Sequence, residues 1–360
     1  MPYQVQPLPF KNESDLETKA VLKKAASAHR YLAELKGIAA TIPNEIILIN
    51  MLTLQEAKDS SAVENIITTH DEIFKAELFP SHPKNHAAKE VQDYATALKL
   101  GFQKVKRNRL IRLNDVIEIQ SLLEQNKAGL RKLPGTELKN QATGEVVYTP
   151  PQDADTISKL IDNLMTYIND ESLSDLDVLV KMAVIHHQFE SIHPFYDGNG
   201  RAGRIINILY LVTNHLLDLP VLYLSRFIIR DKSAYYKNLQ DVRDTNEWEP
   251  WLLYMLNGIE QTSIKTINLI QDIKALMMQY KHDIRKKLPK IYSQDLINNL
   301  FKHPYTKIDF VMNDLRVSRI TATKYLDLLA EKGFLQKNKI SRSNYYINKP
   351  LCDLFIENNA

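Results

Sequence analysis

Cysteine and glycine are the two residue types that this sequence has least of relative to its length. It contains a single cysteine, Cys352, and ten glycines in 360 residues. One cysteine excludes an intramolecular disulfide bond and agrees with a reducing compartment. Glycine makes up roughly 7% of an average protein, so the few places where glycines gather in this chain are candidate functional segments.

The sequence also lacks a long apolar run, an export signal and an excess of charge of either sign. The longest apolar stretch, residues 205–224, contains several polar residues and Pro220, so it is too short and too polar to span a bilayer. The N-terminus has no basic region followed by an apolar run. Basic and acidic residues number 46 and 43, and the net charge of +3 does not favour a protein that coats nucleic acid or membranes. We therefore expect a soluble, cytoplasmic protein with no membrane partner.

Apolar residues recur at three- and four-residue steps along most of the chain, which predicts a mainly helical protein. Helices are expected over residues 15–40, from about residue 54 to a proline-containing break at residues 79–86, over residues 87–107, and from residue 113 to Gly129. The exception is residues 130–151, where Pro-Gly and Thr-Gly pairs predict turns and residues 145–148 have strand character. We predict an all-α fold with one small β-hairpin in this segment.

The C-terminal residues 291–349 form the pattern helix, helix, helix, hairpin, which is typical of a winged helix-turn-helix domain. Ser318 is placed to cap the recognition helix. Ten basic against five acidic residues give this segment a net charge of +5, which favours DNA binding, whereas the alternative is a domain for protein contacts. The residues expected to face DNA are Arg319, Thr321, Thr323 and Lys324 on the helix and Lys337, Lys339 and Arg342 on the wing.

Three glycines, at positions 198, 200 and 203, gather in the segment "SIHPFYDGNGRAGR", residues 191–204. Gly198 and Gly200 lie where a helix is predicted to begin, and backbone N–H groups without side chains around them form an anion site that phosphate often occupies. Arg201 and Arg204 lie on one face of that helix. Two guanidinium groups near its positive end suit a polyphosphate.

The same segment supplies groups for catalysis. Asp197 is an oxygen ligand of the kind that holds Mg²⁺ together with phosphates and water. His193 can accept a proton near neutral pH and act as a general base, and Phe195 is expected to anchor the loop inward. Taken together, these residues predict nucleotidyl or phosphoryl transfer from a metal-bound polyphosphate.

The stretch "HPFYDGNGRAGR" fills every fixed position of the signature His-x-Phe-x-(Asp/Glu)-Gly-Asn-Gly-Arg-x-x-Arg, and residues from about 30 to 260 resemble the Fic family. The stretches "HHQFESIHPF" and "LYLSRFI…YY" and the predicted hairpin are also similar to that family. Most Fic proteins transfer AMP from ATP to a Ser, Thr or Tyr hydroxyl of a target protein and release pyrophosphate. The resemblance therefore implies a protein adenylyltransferase that uses ATP and Mg²⁺.

The resemblance also implies roles for individual residues. His193 would deprotonate the target hydroxyl, Asp197 would bind Mg²⁺, and Asn199 would cradle the α-phosphate with the neighbouring amides. The residues expected at the nucleotide are Gln188, Pro194, Phe195, Tyr196, Gly198, Asn199, Gly200, Arg201, Arg204, Arg230 and Tyr236. The hairpin at residues 130–151 corresponds to the flap of the family, which aligns an extended target segment by strand addition.

The stretch "SSAVEN", residues 60–65, resembles the inhibitory motif of the family, Ser/Thr-x-x-x-Glu-Gly/Asn. Ser60, Glu64 and Asn65 fill its fixed positions. An ion pair between Glu64 and Arg204 would occupy the space that a γ-phosphate needs, so ATP would bind with its phosphates misplaced for in-line attack. The alternative is that Glu64 lies on a solvated helix face.

The predicted domains are an N-terminal helical region carrying the inhibitory motif (1–108), a Fic core (109–260), a helical linker (261–290) and a winged helix (291–360). Two alternatives to adenylylation remain open. One is removal of AMP, which this glutamate supports in some Fic proteins, or transfer of another phosphate-bearing group such as phosphocholine. The other is a DNA-binding regulator whose core senses nucleotide. Self-modification and a homodimer are also compatible with the sequence.

Overall fold

The fold is mainly helical, as the sequence predicts. A computed structural model describes residues 3–79, 85–140, 143–340 and 343–357. Its helices are α1 (Lys19–Ala39), α2 (Glu45–Val63), α3 (His70–Leu78), α4 (His86–Asn108), α5 (Leu113–Glu124), α6 (Ala154–Asn169), α7 (Val178–Ile192), α8 (Asn199–Thr213), α9 (Ser225–Arg230), α10 (Lys232–Thr245), α11 (Glu249–Lys287), α12 (Gln294–Lys302), α13 (Ile308–Leu315), α14 (Arg319–Glu331) and α15 (Lys349–Glu357). Two short 3₁₀ turns lie at Glu13–Leu16 and Glu171–Leu173.

The strands form two small antiparallel sheets. β1 (Leu138–Lys139) pairs with β2 (Val146–Tyr148), and β3 (Tyr305–Thr306), β5 (Ser343–Ile347) and β4 (Gln336–Ile340) follow in that order across the second sheet. The first pair is the hairpin that was predicted within residues 130–151, although residues 141–142 lie outside the described chain. None of the described helices combines the length and apolarity that a membrane crossing requires.

One predicted helix is two helices in the structure. The periodicity predicts one helical stretch from about residue 54 to the break at residue 79, but α2 ends at Val63 and α3 begins at His70. Asn65 adopts a left-handed backbone conformation with φ of 63°, which ends a helix. Thr69 then starts α3 with a reciprocal capping box to Glu72. The break leaves the inhibitory motif at the C-terminal end of α2, where Ser60 is buried and Glu64 is partly exposed.

α7 and α8 lie at the centre of the core and pack against each other. All but the first residue of α7 are buried. α4 and α5 pack on α8, α6 and α11 pack on α7, and α1 runs along α11. Because the turn between α7 and α8 is residues 193–198, two buried helices fix both ends of the glycine-rich segment.

α11 crosses the boundary that was predicted at residue 260. It is one continuous helix of 39 residues, and Trp251 near its start and Ile284 near its end are both fully buried. Residues 261–287 therefore continue the helix that begins at Glu249.

The C-terminal segment follows the predicted order, with α12, α13 and α14 before the β4–β5 hairpin. It packs on the N-terminal region, since the Tyr305 hydroxyl donates a 2.8 Å hydrogen bond to Asp71 Oδ1 of α3. Two of the cations expected to face DNA are paired with acids within the domain, Arg319 with Asp309 at 3.0 Å and Lys337 with Asp327 at 2.7 Å. Arg342 lies outside the described residues.

Candidate active site

His193 occupies a left-handed backbone position immediately after α7. Its φ is 49°, a conformation that costs a non-glycine residue on the order of 1 kcal/mol. Its N–H still closes the last turn of α7 by donating to the carbonyl of Phe189 at 2.9 Å. The imidazole Nδ1 has no hydrogen-bond partner within the described chain. The helix end thus orients His193, while the ring itself stays available for chemistry.

Arg131 holds the His193 turn from the flap side. Its side chain is almost fully buried, and its Nε donates to the carbonyl of His193 at 2.7 Å. Its Nη2 donates to the carbonyls of Ile192, at 3.3 Å, and of Pro151. Its own backbone N–H donates to the carbonyl of Pro194 at 2.9 Å. One guanidinium therefore joins both ends of the flap to the turn that carries His193.

Asn199 closes the loop between His193 and α8. Its Oδ1 accepts from the N–H of Phe195 at 2.9 Å, and its Nδ2 donates to the carbonyl of the same residue at 2.8 Å. The side chain was expected to cradle a phosphate, but both of its polar atoms are engaged with the loop backbone. Phe195 is fully buried, as an inward anchor must be.

The first turn of α8 lies where the glycines predicted a helix N-terminus that could bind an anion. Gly198 has φ of 78° and precedes the helix, so the N–H groups of the first turn have no partner inside the helix. A Cβ atom at Gly200 would lie 2.4 Å from Glu64 Oε1 and 3.0 Å from the guanidinium of Arg204. Glycine at position 200 therefore lets these two side chains approach the helix backbone closely.

Arg204 is bound by the predicted inhibitory motif. Its Nη2 donates to Glu64 Oε1 at 2.8 Å and to the carbonyl of Ser60 at 3.0 Å, and its Nε donates to the Ser60 hydroxyl at 2.8 Å. Burial opposes ionisation of Glu64, but the charge and hydrogen bond of Arg204, together with the charges of Arg201 and Lys232, hold the pKa of Glu64 below its usual value. The structure thus excludes the alternative of a glutamate on a solvated helix face.

Arg201 is also paired with carboxylates, which sequence reasoning missed. Its guanidinium contacts Glu124 Oε1 at 2.6 Å and Glu90 Oε2 at 3.0 Å, and only 5% of its side chain is exposed. Glu90 belongs to α4 and Glu124 ends α5. Neither glutamate stands in a motif, so only the packing of α4 and α5 on α8 reveals the contact.

These groups open into one cavity of about 640 Å³. His193, the first turn of α8 and Asp197 line it together with Glu64. The residues that line it are Glu64, Ile66, His86, Lys89, Glu90, Asp93, Leu123, Glu124, Gln125, His193, Asp197, Gly198, Asn199, Gly200 and Arg201. Arg204 is 2% exposed and does not face the cavity. The carboxylate of Glu64, which binds Arg204, faces the cavity instead.

Three residues predicted for the nucleotide pocket lie elsewhere. Gln188 is buried and donates to the carbonyl of Gln6 at 2.7 Å, so it holds the N-terminal segment. The Tyr196 hydroxyl accepts from the N–H groups of Lys132, at 2.9 Å, and Leu133, at 3.1 Å, so it holds the flap. Arg230 lines a different cavity.

Tyr236 and Asn65 lie beside the active-site cavity. The ring of Tyr236 is 43% exposed and lies 5.8 Å from the ammonium of Lys232. That ammonium donates to Asn65 Oδ1 at 3.0 Å. The inhibitory motif and the start of α10 therefore contact each other at the rim of the site.

Two buried groups near the turn have shifted pKa values. Burial, with the charges of Arg131 and Arg243, lowers the pKa of His193 to about 4. Burial raises the pKa of Glu190 to about 7, although the charge of Arg204 opposes this shift. Glu190 Oε1 has no hydrogen-bond partner within the described chain. At neutral pH, His193 is consequently a neutral imidazole.

The donor set in this cavity fits Mg²⁺ that arrives with phosphates. Asp197 is exposed, and its Oδ1 accepts a 2.7 Å hydrogen bond from the N–H of Gly198. The described residues contain no cluster of three or more side chains that would hold a metal ion by themselves. A single carboxylate suits Mg²⁺, which keeps several waters and takes phosphate oxygens as further ligands.

Comparison with protein-family models gives three matches along the chain. The model for the Fic/DOC family N-terminal region matches residues 22–103, and the Fic/DOC family model matches residues 110–211. The model described as protein adenylyltransferase SoFic-like, C-terminal domain, matches residues 276–351.

Curated relatives match over the central part of the chain. Protein adenylyltransferase fic-1 of Caenorhabditis elegans is 26% identical over 150 residues, which are 41% of this chain and 28% of that protein. The probable protein adenylyltransferase aq_aa38 of Aquifex aeolicus is 36% identical over 97 residues, which are 27% of each chain. The chain thus spans little more than a quarter of the length of these relatives.

Solved structures share the fold over longer ranges. A Fic family protein from Desulfovibrio desulfuricans G20 superposes with a TM-score of 0.58 at 19% identity, covering 95% of this chain and 98% of that one. A fragment of Fic-1 from C. elegans superposes with a TM-score of 0.54 at 18% identity, covering 72% and 75%. These structures share the fold of the chain, and because the three family models together match most of its residues, this protein belongs to the Fic family.

Proposed function

We propose that this protein is an adenylyltransferase that transfers AMP from Mg·ATP to a hydroxyl side chain of a target protein, and that Glu64 restrains it. One observation carries the proposal: His193 and the bare N-terminal turn of α8 line the same cavity, and Glu64 lies there in contact with Arg204. The adenylyltransferase names of the curated relatives support the reaction class.

The reaction needs a base, an anion site and a leaving group. The neutral imidazole of His193 takes the proton from the target hydroxyl. The hydroxyl oxygen then forms a bond to the α-phosphorus while the bond from that phosphorus to the bridging oxygen of the β-phosphate breaks. Pyrophosphate leaves with the electron pair of that bond. The N–H groups of the first turn of α8 stabilise the negative charge that builds on the phosphoryl oxygens.

Arg201 and Arg204 are expected to bind the outer phosphates. In this structure both guanidinium groups are held by glutamates, so phosphate oxygens must replace carboxylate oxygens as their partners. Asp197 would hold Mg²⁺, which would supply neutralisation of phosphate charge and help to orient the phosphates. Loss of Glu64 frees one phosphate position without removing any group that takes part in the reaction.

The flap is expected to receive the target. Val146 and Val147 of β2 are 49% and 45% exposed, and β2 belongs to a sheet of only two strands. An extended segment that adds to this sheet would lie beside the turn of His193, because Arg131 ties the flap to that turn. A Ser, Thr or Tyr side chain on such a segment can then reach the imidazole.

Labelling with ATP tests the proposal. The protein, or a lysate containing it, is incubated with Mg²⁺ and ATP labelled at the α-phosphate, and the same experiment is run with label at the γ-phosphate. We expect covalent protein label from the α-labelled form alone, strongest with Glu64→Gly. His193→Ala should abolish it, whereas His282→Ala, at an exposed histidine outside the cavity, should not. Label from the γ-phosphate, or none with Glu64→Gly, would contradict the proposal.

A further inference from the structure

A second cleft lies outside the active-site cavity, between α9, the start of α10 and α11. Its volume is about 360 Å³, which falls within the range of roughly 300–1,000 Å³ of small-molecule sites. The residues that line it are Tyr223, Arg226, Phe227, Arg230, Asp231, Tyr254, Asn257, Gln261, Thr262 and Lys265. Over the described chain it shares no lining residue with the active-site cavity.

One part of the cleft is aromatic. The rings of Phe227 and Tyr254 lie 5.0 Å apart and are tilted by 54°, and the ring of Tyr223 is almost fully buried beside them. The Tyr254 hydroxyl donates to the carbonyl of Asp231 at 3.3 Å, which fixes that ring. Gly258 allows this packing, since a Cβ atom there would lie 2.8 Å from Phe227.

The other part of the cleft carries excess positive charge. Arg226, Arg230 and Lys265 line it, against a single carboxylate, Asp231. Arg226 is 7% exposed, and its guanidinium lies 3.7 Å from Asp59 Oδ2. Burial lowers the pKa of Arg226, which shows that its charge is poorly solvated. An anion in the cleft would therefore face three cations and one carboxylate.

We propose that this cleft binds a small molecule that carries both a flat ring and an anionic group, such as an aromatic phosphate or a mononucleotide. The rings of Phe227 and Tyr254 provide the surface for the flat ring. The cations Arg226, Arg230 and Lys265 provide charge-assisted hydrogen bonds to phosphate oxygens. The volume admits one such molecule and is too small for a folded partner.

The cleft is connected to the inhibitory motif through one ion pair. Asp59, which lies 3.7 Å from the guanidinium of Arg226, directly precedes Ser60 on α2. Ser60 in turn binds Arg204 through its hydroxyl and its carbonyl. A bound anion that competes with Asp59 for Arg226 would weaken the ion pair between these two residues, and with it a contact that positions the C-terminal end of α2. This consequence rests on the proposed function, whereas binding to the cleft does not.

Binding is tested with phenyl phosphate, which combines one flat ring with one phosphate group, by calorimetric or NMR titration of the full chain. We expect saturable binding with a dissociation constant of about 1 mM or below. Arg230→Glu and Lys265→Glu should each weaken it at least about tenfold, since both reverse a charge in the cleft. Lys274→Glu, an exposed lysine of the same helix outside the cleft, is the matched control and should bind as wild type does. His193→Ala should also retain binding.

Two further measurements complete the test. Asp59→Asn keeps the shape of the side chain but releases Arg226, so phenyl phosphate should bind several-fold more tightly to a variant with unchanged circular dichroism. Inorganic phosphate should bind more weakly than phenyl phosphate, and equal affinities would overturn the ring subsite. No saturable binding, or equal loss in Lys274→Glu, would overturn the whole proposal. With binding established, an unchanged labelling rate at saturating phenyl phosphate would overturn only the connection to α2.

Discussion

Arg204 donates a 2.8 Å hydrogen bond to Glu64 from a position 140 residues away in sequence. The guanidinium is always charged and 2% exposed, so it requires an anionic partner at all times. Glu64 fills that requirement at the end of α2, where its carboxylate borders the cavity of His193. A phosphate oxygen offers the same charge and a similar geometry, so the carboxylate and the nucleotide compete for one guanidinium.

Glu64→Gly should raise α-phosphate labelling by about tenfold or more, equivalent to about 1.4 kcal/mol or more. The substitution removes the competing carboxylate at a helix C-cap, where glycine is tolerated. Initial rates of labelling at fixed ATP provide the measurement. Glu331→Gly, an exposed glutamate at the end of α14, is the control and should leave the rate unchanged. Equal rates for wild type and Glu64→Gly would remove Glu64 from this role.

Gly198→Ala should destabilise the protein by about 1–2 kcal/mol and reduce labelling strongly. Its φ of 78° is unfavourable for alanine, and the added Cβ would lie 2.6 Å from Glu124 Oε1. Gly37→Ala is the matched control in α1, where an added Cβ meets no atom within 4 Å. That change should stabilise the protein by up to about 1 kcal/mol. Urea unfolding of both variants measures the two changes in the free energy of unfolding, which should have opposite signs.

Glu190→Gln should stabilise the protein above pH 7 and have little effect near pH 4. The buried carboxyl keeps its proton up to about pH 7 in the folded state, whereas in the unfolded chain it ionises near pH 4.5. The folded state therefore binds the extra proton between these values, and this group lowers the free energy of unfolding as pH rises through that window. The gain at pH 8 should be about 1–3 kcal/mol.

The measurement for Glu190 is urea unfolding at several pH values between 4 and 8. Glu34→Gln, an exposed glutamate of α1, should show no such pH-dependent difference from wild type. A Glu190→Gln curve parallel to wild type over the whole range would show that the buried carboxyl does not hold its proton.

Arg131→Lys should lower the rate of labelling at saturating ATP by about 10- to 100-fold while the KM for ATP changes little. The planar guanidinium reaches the carbonyls of His193, Ile192 and Pro151 together, and a lysine ammonium does not reproduce that geometry. Steady-state kinetics in the Glu64→Gly background measures both constants. Lys132→Met, the exposed neighbour in sequence, should retain the rate. A changed KM with an unchanged rate would place Arg131 at the nucleotide.

The sequence was most informative where residues close together in the chain act together. The glycines at 198 and 200, the turn at His193 and the helix that follows it are local features, so their pattern predicted an anion site at the start of α8. The motif at residues 60–65 likewise predicted the contact with Arg204 that the structure shows. The sequence was less informative where a residue type fits several local roles: Asn199 and Tyr196, which were expected at the nucleotide, are engaged with backbone groups of the loop and flap.

Periodicity predicted the helical class, and turn residues predicted the position of the hairpin. Both signals act within a few positions of the sequence. The partners of the buried charges depended on the packing of distant helices. Glu90 and Glu124 reach Arg201 only because α4 and α5 pack on α8, and Arg230 faces a separate cleft because α9 packs against α11. Local sequence determines which charges exist, whereas the neutralisation of each charge requires a partner that only the folded chain brings within a few ångströms.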